Sequence, residues 1–163
     1  QEGFYMSAWS PSVLEPDNGF DYEPENLLER NIERTWSEGA QGYGTNEKID
    51  LYMEFTDQPY AGVYVDEICI VNGYAKDEET WKKNSRVKSM RLYWGGLSES
   101  CYIGNIYLED TREPQYIDLS KFQLFIPTGT HATLSLYIEE VYYEGCEYAD
   151  TCVTGIDVKY SVK

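Results

Sequence analysis

Residue types that carry out catalysis are scarce in this chain. It has one histidine, His131, placed in Thr128-Gly129-Thr130-His131 ahead of a strand-like run. A turn imidazole of that kind is solvated rather than poised as a base. No Gly-x-Ser-x-Gly elbow, phosphate loop or HExxH motif occurs, so the common hydrolase, nucleotide and zinc-protease signatures are missing. Zinc would also need a Cys/His cluster that the chain lacks. No run of about 18 apolar residues exists, so no membrane insertion is expected. Gln1-Glu2-Gly3 has neither the basic lead nor the apolar middle of a signal peptide. It reads as a mature or trimmed start, compatible with export.

Basic residues are also few: 13 Lys and Arg against 29 Asp and Glu, a net charge of -16. Such a surface repels phosphate backbones and anionic headgroups, which makes nucleic acid a poor partner. The acidity serves solubility outside the cell or the attraction of cations. Carboxylates are so numerous that some pair must fall close together, so a glycosidase-like pair carries no signal without geometry. Phenylalanine is sparse, at 5, while tyrosine reaches 16. Tyrosine suits half-buried positions with one wet end, as on sheets and in grooves.

At 163 residues the chain is most simply one domain, 1–163, since domains run to about 100–200 residues. Helical periodicity is nearly absent. Pro24 stands where a first helical position would, followed by Leu27 and Leu28, as in one turn that plugs a core. Elsewhere the pattern has period two. Ile49, Leu51, Met53 and Phe55 alternate with Asp50, Tyr52 and Glu54, and Leu134, Leu136 and Ile138 alternate with Ser135, Tyr137 and Glu139. Strands are expected at 63–71, 87–94, 101–108, 116–119, 122–126 and 153–160, with the apolar 63–71 run central. The prolines before Asn18 permit an edge strand or an extended lead-in, but not a central strand. The polar segment Ala75–Arg86 reads as a surface connection anchored by Trp81. The fold class is all-β, a sandwich or jelly roll with one short helical turn.

The stretch Pro24–Ile49 leaves its helical turn for a glycine-rich loop long enough to suspect a function. Loop aromatics stand there beside hydrogen-bonding groups: Trp36, Glu38, Tyr43 and Glu47. A second set follows at Asn72, Tyr74, Lys76 and Trp81. A ring offers apolar contact to a sugar face while amides and carboxylates fix its hydroxyls. Trp36 and Trp81 read more readily as wedges that hold their loops onto the barrel, whereas Tyr43 between Gly42 and Gly44 is expected to be exposed. Of the four cysteines, Cys146 and Cys152 are spaced to close a small loop, and a disulfide is expected there. Cys69 and Cys101 lie in separate strand-like segments, and Cys69 reads equally well as a buried free thiol. Carboxylate and carbonyl oxygens around Glu29, Asn31, Glu33 and Asp150 can serve calcium or simply be solvated.

Ordered motifs carry a family resemblance. Tyr22-Glu23-Pro24-Glu25-Asn26-Leu27-Leu28-Glu29-Arg30 is followed by Trp36, Glu38-Gly39-Ala40-Gln41-Gly42-Tyr43-Gly44, Glu47 and Ile49. Then come Asn72-Gly73-Tyr74-Ala75-Lys76, Asn84-Ser85-Arg86-Val87-Lys88, Leu108-Glu109-Asp110-Thr111, Pro114-Gln115, Glu140-Val141-Tyr142 and Asp150-Thr151-Cys152. From about Ser7 to Tyr160 the chain resembles discoidin-like, coagulation-factor C-type domains, and most closely the bacterial NADase-type glycan-binding domain. The resemblance implies a galactose-binding-like β jelly roll. It also implies a non-catalytic glycan-binding module of an exported, periplasmic or cell-surface bacterial protein, without NADase activity. The alternative is a surface protein-interaction scaffold with no sugar ligand. Related members hold a calcium near an Asp-Gly turn, which maps onto Glu29, Asn31 and Thr35. This chain departs from that pattern: Glu29 replaces Asp, Arg30 replaces Gly, Thr35 lies one place late, and Gly155 stands for a late Glu. No other cofactor is implied.

Overall fold

The computed structural model describes residues 3–96 and 99–163. Its strands are β1 (Phe4–Trp9), β2 (Trp36–Ser37), β3 (Lys48–Phe55), β4 (Gly62–Asn72), β5 (Ser85–Gly95), β6 (Ser100–Tyr107), β7 (Gln115–Asp118), β8 (Leu124–Pro127), β9 (Thr130–Tyr142) and β10 (Thr151–Val162). One α-helix, α1 (Glu78–Lys83), and two 3-10 turns at Pro24–Leu28 and Ser120–Phe122 complete it. Strand order is β1-β3-β9-β5-β10-β4-β7, with β6 on β5, β8 on β4 and β2 on β10. Neighbours are antiparallel except at β5–β10, where Thr151 and Cys152 run parallel to Ser85 and Arg86. That brief seam lets two antiparallel lobes fold over one core. This is the expected jelly roll.

Period-two patterning positions the core. Ile49, Leu51, Met53 and Phe55 of β3 and Leu134, Leu136 and Ile138 of β9 are all fully buried. They meet Val63, Ile68 and Ile70 of β4 and Met90 and Leu92 of β5 in one apolar cluster. Each such side chain contributes about 1.5–3 kcal/mol through burial. Leu27, from the Pro24–Leu28 turn, is fully buried and plugs one end of this cluster. The first segment supplies the edge strand β1, paired only with β3 along its length. Strand β4 is central, with β10 on one side and β7 and β8 on the other.

Two expectations change. The segment read as a surface connection holds α1. Asp77 caps it by accepting from the Thr80 N–H at 2.7 Å, and Glu78–Lys82 and Glu79–Lys83 form pairs one turn apart. The charges that suggested a loop are the solvated face of a helix, and Trp81, only 7% exposed, is its buried anchor. Second, the Cys146–Cys152 disulfide does not form, and all four cysteines are free thiols. Cys152 is held inside β10 by its pairing with Ser37 and is 2% exposed. Cys146 sits in the loop that precedes β10, its sulfur 3.4 Å from both an Arg86 guanidinium nitrogen and the Asn84 carbonyl. Strand pairing holds one thiol and the arginine engages the other. Among the described residues, no helix is long and apolar enough to cross a membrane.

Candidate functional site

The strand register sends the connections 10–47, 73–84, 108–114 and 143–150 to the same end of the jelly roll. At the opposite end, Phe4 and Tyr160 stack with ring centroids 4.1 Å apart. His131 also lies there, at the start of β9, stacked on Tyr52. The only imidazole is thus remote from the long loops.

A cleft of about 720 Å³ opens at the loop end. Arg86 and Lys88 stand two residues apart on β5 and line it together, as do Glu140 and Tyr142 of β9, where Arg86 pairs with Tyr142. Arg86 forms a two-pronged ion pair with Asp110, at 2.8 and 2.9 Å. Its guanidinium also stacks over Trp81, 4.2 Å from the ring centroid. Burial opposes its charge, but Asp110 outweighs that and raises its pKa further. Lys88 lies over the Tyr142 ring at 5.7 Å, and the Tyr142 hydroxyl donates to the Leu108 carbonyl at 2.7 Å. Tyr43 and Tyr143 close one wall with their ring centroids 4.9 Å apart. Glu139 and Glu144 add acceptors at the rim. The cleft therefore offers exposed rings beside both donors and acceptors, the combination that holds a polyol.

Of the sequence-predicted residues, Tyr43 alone lines this cleft, 38% exposed. Trp36 is fully buried, its indole N–H donating to the Ser10 hydroxyl at 3.0 Å. Asn72 is also fully buried, exchanging hydrogen bonds with both backbone groups of Val87. Trp81 donates to the Asn72 carbonyl at 3.1 Å. These three hold the barrel end together and are closed to a ligand. Glu47 accepts from the Ser12 hydroxyl and so tethers two loops. Lys76 lies on the surface, 5.8 Å from the Phe20 ring. Tyr74 donates to the Glu33 carbonyl at 2.8 Å and lines a different cavity.

Glu38 is also sealed from solvent. Its carboxylate accepts from the N–H groups of Ala40 and Thr151 at 2.8 and 3.1 Å. Burial is the largest influence and pushes its pKa up to about 7, assisted by Asp150 and Glu47 and opposed by the two N–H groups. The Thr151 hydroxyl in turn donates to the Tyr43 carbonyl at 2.6 Å. Glu38 and Thr151 thus position the loop that carries Tyr43. Sequence reasoning missed Arg86, Lys88, Asp110 and Tyr143 as residues that line the cleft. The available signal was the period-two spacing of Arg86 and Lys88, which commits both to one side of a strand.

The residues at the implied calcium position do not fit that ion. Thr35 is buried, and its hydroxyl donates to the Val153 carbonyl at 2.9 Å. Arg34 sets its guanidinium 3.0 Å from Asp21 and 3.7 Å from Glu29. The Asn31 side-chain oxygen accepts from the Glu33 N–H. Arg30 takes a left-handed backbone conformation, φ 57°, as the replaced glycine would, and pairs with Asp157. Two guanidinium groups already supply the positive charge. Among the described residues, no three His, Cys, Asp or Glu side chains gather to hold a metal.

Residues 2–159 match the family model for the NAD glycohydrolase translocation F5/8 type C domain. No curated protein sequence matches the chain. Among solved structures, the chain is similar to CpGH89CBM32-5 from Clostridium perfringens, in complex with GalNAc-β-1,3-galactose. The TM-score is 0.60 at 11% identity, covering 94% of each chain. It is also similar to the family 32 carbohydrate-binding module of Streptococcus pneumoniae EndoD, with TM-score 0.55 and 14% identity over 93% of this chain and 94% of that one. The family 32 module of C. perfringens NanJ, in complex with galactose, matches with TM-score 0.52 and 9% identity over 96% and 93%. At these identities the likeness is one of fold.

Proposed function

The chain belongs to the family of NAD glycohydrolase translocation F5/8 type C domains, and on that premise we propose that it is a non-catalytic glycan-binding module of an exported or cell-surface bacterial protein. The carrying observation is the loop-end cleft, where Tyr43 and Tyr143 stand beside the Arg86–Asp110 pair and Lys88. Aromatic faces suit the C–H surface of a pyranose, and exposed Lys88 with the acids beside it suits its hydroxyls, while buried Arg86, paired with Asp110, holds the cleft in shape. Two structures of the same fold hold galactose or a galactose-containing disaccharide, which supports testing galactosides first.

Glycan-array screening followed by calorimetry tests this. Saturable binding is expected, weakened about 3- to 10-fold by Tyr43→Ala or Tyr143→Ala, the range for one lost ring contact, with the melting temperature held. Absence of any bound glycan, or affinity indifferent to both substitutions, would refute it. The competing reading is a protein-contact surface, favoured by Tyr5, Trp9 and Tyr52, exposed by 61%, 55% and 37% on the β1–β3 layer. It gains if the array is blank.

A further inference from the structure

A second cavity at the loop end, of about 420 Å³, has a different character. Three tyrosines line it, Tyr22, Tyr74 and Tyr148, together with three carboxylates, Glu15, Asp17 and Asp150. No Lys, Arg or His is among its lining residues, and no ion pair among the described residues involves those three acids. In the glycan cleft, by contrast, Arg86 and Lys88 stand beside the acids. Here no cationic side chain lines the cavity; those on adjoining segments are engaged outside it, with Lys76 over the Phe20 ring and Arg34 on Asp21. Burial raises the pKa of the Asp150 carboxyl, and burial, then Asp17, raises that of the Tyr22 hydroxyl.

The walls are built rather than incidental. The Tyr74 hydroxyl is committed to the Glu33 carbonyl at 2.8 Å, which leaves its ring as the surface offered. The Tyr22 carbonyl accepts from the Ser37 N–H at 3.3 Å. Tyr148 donates its N–H to the Lys83 carbonyl at 2.9 Å and accepts from the Ser85 hydroxyl at 3.2 Å. Asp17 is held by reciprocal backbone bonds with Phe20 at 3.0 and 2.9 Å.

Charge alone would suggest any cation, but the arrangement discriminates. The acids do not converge as metal ligands do, since no metal-holding group exists among the described residues. A small, strongly hydrated ion therefore finds no coordination shell. A large, weakly hydrated cation needs none: it requires aromatic faces and a diffuse negative field. Leu14 and Pro16 add apolar contact suited to methyl groups. We propose that this cavity binds a quaternary ammonium group, with Tyr22, Tyr74 and Tyr148 as walls and Asp17 and Asp150 as the countercharge. A phosphate attached to the same group would meet those carboxylates and be disfavoured.

The test is a titration of the full chain with choline, phosphocholine and the neutral isostere 3,3-dimethylbutan-1-ol, followed by NMR shift changes and calorimetry. Choline is expected to bind saturably, with the isostere and phosphocholine each weaker by about five-fold or more. Tyr148→Ala and Asp150→Asn should each weaken choline about five-fold, Tyr148→Phe should not, and Tyr43→Ala in the other cleft should leave choline unaffected. Melting curves identify variants that fail to fold, for which Tyr148→Phe and Asp150→Asn provide independent readings. No saturable choline binding, equal binding of the neutral isostere, phosphocholine tighter than choline, or loss on Tyr43→Ala would each overturn the proposal. Failure here is distinguishable from failure of the glycan reading, because the two sites share no lining residue.

Discussion

The buried carboxyl of Glu38 makes stability depend on pH in a direction opposite to that of a salt-bridged acid. Its ordinary value is 4.5, and in the folded chain it rises to about 7. Between those values the folded state keeps a proton that the unfolded chain releases, so stability falls as pH rises through the window and levels off above about 7. A shift of that size corresponds to about 3 kcal/mol at most. Relaxation of the surrounding groups when the carboxylate ionises reduces it to about 1–2 kcal/mol, or about 2–8 °C in melting temperature for a domain of this size. The net charge of -16 acts in the same direction through self-repulsion, so wild type alone cannot isolate the effect. Glu38→Gln stays neutral at every pH and keeps an oxygen for one of the two N–H groups. The assay is thermal melting of both proteins from pH 4.5 to 8.5, read as a difference curve. Wild type should lose stability relative to Glu38→Gln as pH rises, with the change complete near pH 8. A flat difference curve, or wild type gaining on the variant, would refute the placement of Glu38.

Gly44 sits at φ 77°, and a Cβ there would lie 2.5–2.6 Å from side-chain carbons of Glu38. Gly44→Ala should therefore destabilise the chain by about 2 kcal/mol or more in urea unfolding, whereas Gly42→Ala, at a similar φ but with open space, should cost less. Calcium at millimolar concentration, or its removal by a chelator, should leave the melting temperature unchanged within about 1 °C, because a ligand that does not bind the folded state adds no stability. Thiol labelling of the native chain should modify exposed Cys101 fastest and Cys152 slowest, since burial pushes the latter's pKa up to about 12. After denaturation without reductant all four should label, and a persistent unlabelled pair would show a disulfide that the structure lacks. Trp36→Ala should cost about 3–5 kcal/mol, as expected for an emptied core site, and its sugar binding should fail only where the chain unfolds.

Alternation was enough to read most strands, because a strand with one buried face writes its geometry into adjacent residues. Ile49 to Phe55 and Leu134 to Ile138 stand in the core as their spacing requires. Tyr43 was legible for another local reason: glycines on both sides place no adjacent side chain over its ring. Polar loop residues misled. Glu38 and Asn72 resemble ligand contacts in sequence, but their partners are backbone groups that burial would otherwise leave unpaired. Nothing local distinguishes those two uses of a polar side chain.

The sequence by itself determined most of the strands, the exclusion of the first segment from the sheet centre, the plug at Leu27 and a family whose motifs run in order along the chain. Only the tertiary structure decided which loops meet. The Glu38 carboxylate finds the Thr151 N–H 113 positions away, and the cleft draws Tyr43, Arg86, Asp110 and Tyr143 from four separate segments. Whether a loop tryptophan faces a ligand or the core was decided there too, with Trp36 and Trp81 both turned inward. The reason is physical. Side-chain alternation is a property of neighbouring residues, whereas a site at the end of a jelly roll is assembled by strand pairings between residues far apart in sequence.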